Sequence, residues 1–307
     1  MASFVDRLLD TTVVGGYSRV GFDIRSRSSE WERFSSDALV GCRIVVTGPT
    51  SGIGLAAVHG LSRLGASIVL VGRDEVRTRS VAEGLGETVE VVVCDMADLD
   101  DVARASSTIM GAGTPDLVVH NAGALLRTCE RTLQDFETTM AVHVLAPHLM
   151  TRLVPSARSI WVASGGMYAA PLIDPRRRDP MSPTTYDGTK QYASAKRMQV
   201  ALIQDWSTRD ESRWFAAMHP GWADTPGVRN SLPGFAKVTR PILRSPDQGA
   251  DTIVWLAATA RQLPSGDFWC DRESRPRHRL GSTRRSDTED VRRAVVEWAD
   301  RLTDPWT

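Results

Sequence analysis

Cysteine is scarce in this chain, with four residues in 307, at Cys42, Cys94, Cys129 and Cys270. None forms a C-x-x-C pair and no histidine cluster accompanies them. That argues against a metal site or a disulfide framework and leaves buried free thiols as the reading. Net charge is lacking too: 37 Lys and Arg balance 37 Asp and Glu, so nothing global points to nucleic acid or an anionic membrane. No apolar run approaches the length of a transmembrane span. The N-terminal stretch "MASFVDRLLDTTVV" is broken by Asp6, Arg7 and Asp10 and makes a poor secretory leader. The expectation is a cytoplasmic protein without metal, nucleic-acid partner or membrane span. Internal repeats and linkers clear enough to divide the chain are also missing.

What is present is ordinary for a protein with a full core: 42% hydrophobic and 24% charged residues. From Gly41 onward short apolar runs alternate with longer helical patterns. "RIVVTG", "SIVLVG", "VEVVVCD", "DLVVHNAG", "SIWVASGG" and "WFAAMHP" read as buried strands, closed by turn residues. Strand then helix, repeated, predicts a parallel sheet covered on both faces, the doubly wound α/β class with a Rossmann-like sheet. The expected organisation is an N-terminal arm over residues 1–40 and a single domain over 41–307.

Three regions depart from the rhythm. The arm carries scattered aromatics, Phe4, Tyr17, Phe22, Trp31 and Phe34, and is expected to pack on the domain or a partner subunit rather than lie on a membrane. Residues 221–246 contain Pro226, Pro233 and Pro241 and read as an irregular or short-helical flap over a substrate. Its apolar residues Leu232, Phe235, Val238, Ile242 and Leu243 hint at a lipophilic one, though they would equally seal the core. The tail predicts a helix over 286–303 that opens on a capping box, Ser286 with Glu289, and shows Val291, Val295, Trp298 and Leu302 on one face. Arg176–Arg178 reads as a solvated loop. Trp206, Trp214, Trp255 and Trp269 read as core or oligomer contacts, and a homo-oligomer is expected.

The first strand ends in "TGPTSGIG", Thr47 to Gly54. Gly48 suits a tight turn, Gly52 close approach of backbone amides to a pyrophosphate, and Gly54 packing of helix on strand. The phosphates would sit at the helix N-terminus, where amides are unpaired and the dipole is positive. The spacing is G-x-x-x-G-x-G, and its place after the first strand of a βαβ pattern is what gives it weight. At the end of the second strand, where a carboxylate would favour NAD, stand Gly72 and Arg73. A guanidinium suits a 2'-phosphate, so NADP (NADPH) is favoured over NAD, although Asp74 follows and offers a ribose an alternative partner.

Tyr-x-x-x-Lys occurs twice in "YDGTKQYASAKRMQV": Tyr186 with Lys190, and Tyr192 with Lys196. On a helix, positions i and i+4 share a face, and a nearby ammonium favours a phenolate. Asp187-Gly188 is a turn signal that weakens a helix at the first pair. Small Ala and Ser beside Tyr192, followed by long helix formers, give the second pair the better scaffold.

Taken together, these residues resemble the short-chain dehydrogenase/reductase family over about residues 41–270. The resemblance implies that Thr47, Gly48, Ser51, Gly52, Ile53 and Gly54 form the cofactor turn and that Asp95 and Met96 meet the adenine. Asn121, Ala122 and Gly123 ("HNAG") match a family element near the cofactor. Pro220, Gly221, Trp222 and Thr225 ("HPGWADT") would lie beside the nicotinamide. It makes Tyr192 the general acid, Lys196 the residue that lowers the tyrosine pKa and holds the ribose, and Ser164 the group that orients a carbonyl. His143 stands where the family usually has an asparagine holding a water in the proton path; it would relay protons or merely fill the gap. The expected activity is carbonyl–alcohol interconversion on a small molecule with a nicotinamide cofactor. A catalytically impaired dinucleotide-binding regulator and a lipid- or partner-binding protein on the same fold remain as alternatives.

Overall fold

The computed structural model describes residues 4–28, 31–86, 89–231 and 233–307. Eight strands form one sheet: β1 Arg43–Thr47, β2 Ser67–Gly72, β3 Val89–Val93, β4 Leu117–His120, β5 Arg158–Val162, β6 Trp214–Met218, β7 Asp267–Cys270 and β8 Glu273–Ser274. Their order is β3-β2-β1-β4-β5-β6-β7-β8. All neighbours are parallel except the terminal β7–β8 pair. The six apolar runs read from the sequence are β1 to β6.

Side chains alternate across the sheet, as period-2 strands require. Val45, Val69, Val118, Trp161 and Phe215 face one core, with the helices Leu99–Gly111, Ala146–Leu153, Gly188–Arg209 and Glu289–Thr303. Ile44, Ile68, Val119, Ile160 and Met218 face the other, with Gly52–Ser62 and Pro246–Ala258. Helices after β1 and after β4 therefore lie on opposite faces. The chain parts at the carboxyl ends of these neighbours, the switch point where open α/β sheets form their ligand crevice.

Several expectations need correction. The tail helix begins at Glu289, with Thr288 as its cap accepting from the Val291 amide. Ser286 instead ends the short helix Gly281–Ser286. Its hydroxyl is spent on the Leu172 amide and the Thr283 carbonyl, so it is not free to cap anything. A full capping box does exist elsewhere, Ser245 with Gln248. The predicted apolar face is as read: Val295 and Trp298 are buried and Val291 and Leu302 pack against them. Residues 221–246 form the short helices Pro226–Ser231 and Pro233–Thr239 and a 3-10 turn, Arg240–Ile242. Val238 is exposed and Leu243 buried. Leu232, and the side chains of Phe235 and Phe4, lie outside the described residues. Trp206, Trp255 and Trp269 are core residues.

The N-terminal helices Phe4–Asp10, Val13–Tyr17 and Arg19–Ser28 dock at the carboxyl ends of β5, β6 and β7. Tyr17 and Phe22 are buried. Beneath them lies a sealed ionic cluster. Asp271 accepts from Arg244 Nη1 at 2.6 Å and from Arg25 Nη1 at 2.6 Å. Asp6 accepts from Arg25 Nε at 2.6 Å and from both Nη atoms of Arg275.

Candidate active site

The glycine turn follows β1. Gly48 and Gly52 have φ of +67° and +55°, left-handed values that favour glycine. A Cβ on Gly48 would lie 2.9 Å from Ala122 Cα, and one on Gly54 only 2.1 Å from the Gly48 carbonyl oxygen. Gly54 thus packs on the turn itself rather than on the strand. Asn121 braces the loop: its Nδ2 donates to the carbonyls of Thr47 and Gly48 at 2.9 and 3.0 Å. Thr47 Oγ1 accepts in return from the amides of Asn121 and Ala122. Ser51 precedes the helix Gly52–Ser62 but its hydroxyl does not cap it. The first amides and this exposed hydroxyl form a cradle that fits a pyrophosphate. Ile53 is half-buried in the same turn and packs against the second core.

At the end of β2, Gly72 has a reason the sequence did not display: a Cβ there would meet Thr78 Oγ1 at 2.4 Å. Asp74 caps the next helix, accepting from the Arg77 amide at 3.1 Å, and also pairs with the Arg77 guanidinium. It is committed to structure. Arg73 is exposed and pairs with no carboxylate among the described residues. Asp95 accepts from the Ala97 amide at 2.9 Å, and Met96 beside it is buried.

The helix Gly188–Arg209 separates the two tyrosine–lysine pairs. Asp187 caps it, accepting from the amides of Thr189 and Lys190, so Tyr186 lies outside it. Lys190 is exposed and sits 3.7 Å from Asp187, while the Tyr186 hydroxyl is 3.4 Å from Thr139 Oγ1. The first pair never meets. Gly188 does not weaken this helix but starts it, because a Cβ would lie 1.8 Å from the Leu126 carbonyl oxygen.

The second pair does meet. Lys196 Nζ lies 5.5 Å from the centroid of the Tyr192 ring and donates to the Val162 carbonyl at 2.7 Å. Two residues past Val162, Ser164 caps the turn Gly165–Ala169, its Oγ accepting from the Gly166 amide. Burial pushes the Tyr192 pKa up, and a hydrogen bond with Ser164 offsets part of that. Burial lowers the Lys196 pKa to about 7. The expectation that Lys196 depresses the phenol is thus not met in this geometry: the desolvated tyrosine stays above its ordinary value.

His143 completes the group. It sits in a π-helical turn, Ala141–Leu145, with its ring edge-on to Tyr192 at 5.2 Å. The turn has a local cause. Pro147, four residues on, has no N–H to give the His143 carbonyl, and Gln199 Nε2 donates to it instead at 2.7 Å. His143 Nε2 lies 2.7 Å from the Ala124 carbonyl oxygen and 3.1 Å from its amide nitrogen. As donor it serves the first, as acceptor the second. Burial, then the Lys196 charge, holds its pKa well below the usual imidazole value, so the ring is neutral. Gly123 makes room for it, since a Cβ there would lie 2.5 Å from His143 Cε1.

The segment after β6 closes the crevice. Gly221 has φ of +75° and packs against the Arg244 guanidinium. Pro220 accepts from Arg244 Nη1 at 3.3 Å. The Trp222 amide donates to the Tyr17 carbonyl at 2.8 Å. Thr225 reaches the glycine turn, its Cγ2 lying 3.1 Å from where a Gly52 Cβ would be. His219 and Arg244, which surround this segment, were missed by sequence reading, and Tyr17 was read only as a packing aromatic of the arm, without a place at the site. No local motif marks them, because their contacts join distant parts of the chain. A cavity of about 450 Å³ between Arg131, Phe136, Asp179 and Trp298 shares no residue with this site. Among the described residues no group of side chains could hold a metal ion, and no helix is long and apolar enough to cross a membrane.

Residues 43–161 match the short chain dehydrogenase family. The chain is 35% identical over 277 residues to dehydrogenase/reductase SDR family member 12 of Bos taurus, covering 85% of this chain and 86% of the relative. Identity to the Homo sapiens protein of the same name is 34%, over 75% and 76% of the two chains. A crystal structure of an uncharacterized protein from Mycobacterium paratuberculosis superposes with a TM-score of 0.70 at 21% identity, over 89% of this chain and 98% of that one. The chain belongs to the short-chain dehydrogenase/reductase family and is an NAD(P)-dependent oxidoreductase acting on CH–OH groups.

Proposed function

We propose that the protein interconverts a carbonyl and its alcohol with NADP, using Tyr192 as general acid and base. The observation that carries this is the convergence of Tyr192, Ser164 and Lys196 from two elements at the carboxyl edge of the sheet. The nicotinamide, when bound, supplies or accepts the hydride. In the reducing direction the Tyr192 hydroxyl gives its proton to the substrate oxygen as the carbonyl carbon gains the hydride, leaving an alcohol and a phenolate. Ser164 holds that oxygen through its hydroxyl and supports its developing charge. Lys196 holds the ribose and, once charged, steadies the phenolate. In the oxidising direction the phenolate takes the alcohol proton.

The preference for NADP rests on Arg73, exposed and without a carboxylate partner among the described residues, and on Asp74, whose carboxylate is spent as a helix cap. Thr47, Asn121, Ala122 and Gly123 shape the floor of the same crevice. A lipophilic substrate is supported by exposed Val238 and by Ile242 in the flap. One observation favours a second reading, the impaired regulator: His143 spends Nε2 on the Ala124 backbone and is neutral, a poor proton carrier. Loss of absorbance at 340 nm from NADPH with a panel of ketones and aldehydes tests the choice. Turnover that disappears in Tyr192→Phe supports the enzyme; tight NADPH binding with no turnover on any carbonyl supports the regulator.

A further inference from the structure

The N-terminal helices do more than cover the sheet. Three successive carbonyls of this segment are bonded to the wall of the crevice. Gly16 O accepts from Arg25 Nη1 at 2.7 Å and Arg244 Nη2 at 3.1 Å. Tyr17 O accepts from the Trp222 amide at 2.8 Å. Ser18 O accepts from Arg244 Nε at 3.3 Å, and that same guanidinium donates to Pro220 O. Between these clamps the Tyr17 ring is driven inward, 4% exposed.

The ring stands between the turn that follows Ser164 and the segment that follows β6. On one side lies the turn that follows Ser164: Tyr17 stacks on Tyr168 with centroids 6.3 Å apart. A Cβ on Gly165 would come within 3.6 Å of Tyr17 Cε2 and 3.1 Å of His219 Nε2. On the other side lies the segment after β6: Tyr17 meets His219 edge-on at 4.3 Å and Trp222 at 6.4 Å. Arg279 lies over the rings of both Tyr17 and Tyr168. Remove the ring, and the Ser164 turn and the Trp222 segment both lose a body they pack against, with His219 left as a direct contact between them.

We infer that Tyr17 is a positioning residue of the active site: wedged between the Ser164 turn and the Trp222 segment, it sets the width of the substrate crevice. The inference rests on the catalytic reading of Ser164 and Tyr192. The side chain acts through its flat ring and its backbone clamps, not its hydroxyl. A carbonyl compound entering between Ser164 and Trp222 therefore meets walls held apart by a residue from the far N-terminal part of the chain. Positioning errors of this kind act on the chemical step, because reactive groups must be held within a fraction of an ångström.

Two experiments test it. The first compares wild type, Tyr17→Leu and Tyr17→Phe with NADPH and whichever carbonyl the panel yields. Tyr17→Leu keeps apolar bulk without the flat ring; kcat/KM should fall about 10-fold or more, mainly in kcat, while the NADPH Kd stays within about threefold, since the glycine turn does not touch Tyr17. Tyr17→Phe should restore the wild-type value. A Tyr17→Leu protein with a lowered Tm but unchanged kcat/KM at 25 °C would make Tyr17 merely structural and overturn the inference. The second needs neither a folded variant nor a substrate: native-state hydrogen exchange of the wild type in rising denaturant. The Trp222 and Gly166 amides should lose protection in one step with the helix Arg19–Ser28. If that helix opens first while both amides stay protected, the wedge does not exist. Retained turnover in Tyr192→Phe would instead sink the catalytic reading and leave the exchange result standing.

Discussion

Lys196 is sealed between a backbone carbonyl and a phenol ring, and burial brings its pKa to about 7. At pH 8 it is mostly neutral. A cofactor whose ribose hydroxyls accept hydrogen bonds from it favours the charged form and raises its pKa again. NADPH binding at pH 8 should therefore take up a fraction of a proton. Calorimetry in buffers of different ionisation enthalpy would read it, and Lys196→Met should abolish the uptake and weaken binding. Tyr192→Phe should lose about 10²–10⁴ in rate, the usual worth of general acid assistance, whereas Tyr186→Phe should leave kcat nearly unchanged. Steady-state kinetics of both variants decide whether the right pair has been chosen. Arg73→Ala should erase the preference for NADPH over NADH in a titration of each cofactor, and an unchanged preference would remove Arg73 from the site. The separation of the two pairs was legible in the sequence because Asp187-Gly188 marks a boundary, where the helix starts and leaves Tyr186 outside. The depth of Lys196 was not, since it depends on the Val162 carbonyl, which another strand brings to it.

Among the elements, the π-helical turn that carries His143 is the most exposed to test. Its His143 carbonyl accepts from Gln199 Nε2, and Pro147, four residues on, has no N–H to offer it. Gln199→Leu strands a buried carbonyl and should cost about 1–3 kcal/mol in urea unfolding. Pro147→Ala restores a backbone donor four residues on, so the double variant should recover part of that loss. Strict additivity of the two changes would show that they do not share the carbonyl. Here the proline is visible in the sequence, while its remedy lies fifty-two residues further along. The same contrast runs through the strands. β1 to β6 stood out as Val- and Ile-rich runs, but β7 reads "DFWC", four residues opening on an aspartate, too short and too mixed to stand out. The start of the tail helix was misread because Ser286, Asp287 and Thr288 all offer a cap. What decides among them is the Leu172 amide, which claims Ser286.

For the molecule as a whole, the sealed ionic cluster under the N-terminal helices sets the response to acid. Burial opposes ionisation of Asp271, but the Arg244 and Arg25 guanidiniums outweigh it and hold the carboxyl below the usual carboxylate range. Asp6 is likewise lowered, by Arg275 and Arg25 against burial. A depressed folded pKa stabilises the native state above the unfolded value, near 3.9, and that contribution drains away as pH falls through the folded value. Denaturant midpoints should thus drop below about pH 4. Asp271→Asn should cost about 3–5 kcal/mol at pH 7, because the buried Arg244 guanidinium loses its carboxylate partner and Arg25 loses one of its own, keeping Asp6, and should flatten the acid limb. An unchanged midpoint at pH 7 would show the cluster to be energetically idle. None of this was legible in advance: Arg25 and Asp271 are 246 positions apart, and each alone reads as an ordinary surface charge. That separation also has a meaning in time. A ribosome adding about 5–20 residues per second finishes the N-terminal segment long before it makes Arg244, Asp271 or Arg275. For something on the order of ten to fifty seconds Asp6, Tyr17 and Arg25 wait without a native seat, made long before the partners that hold them.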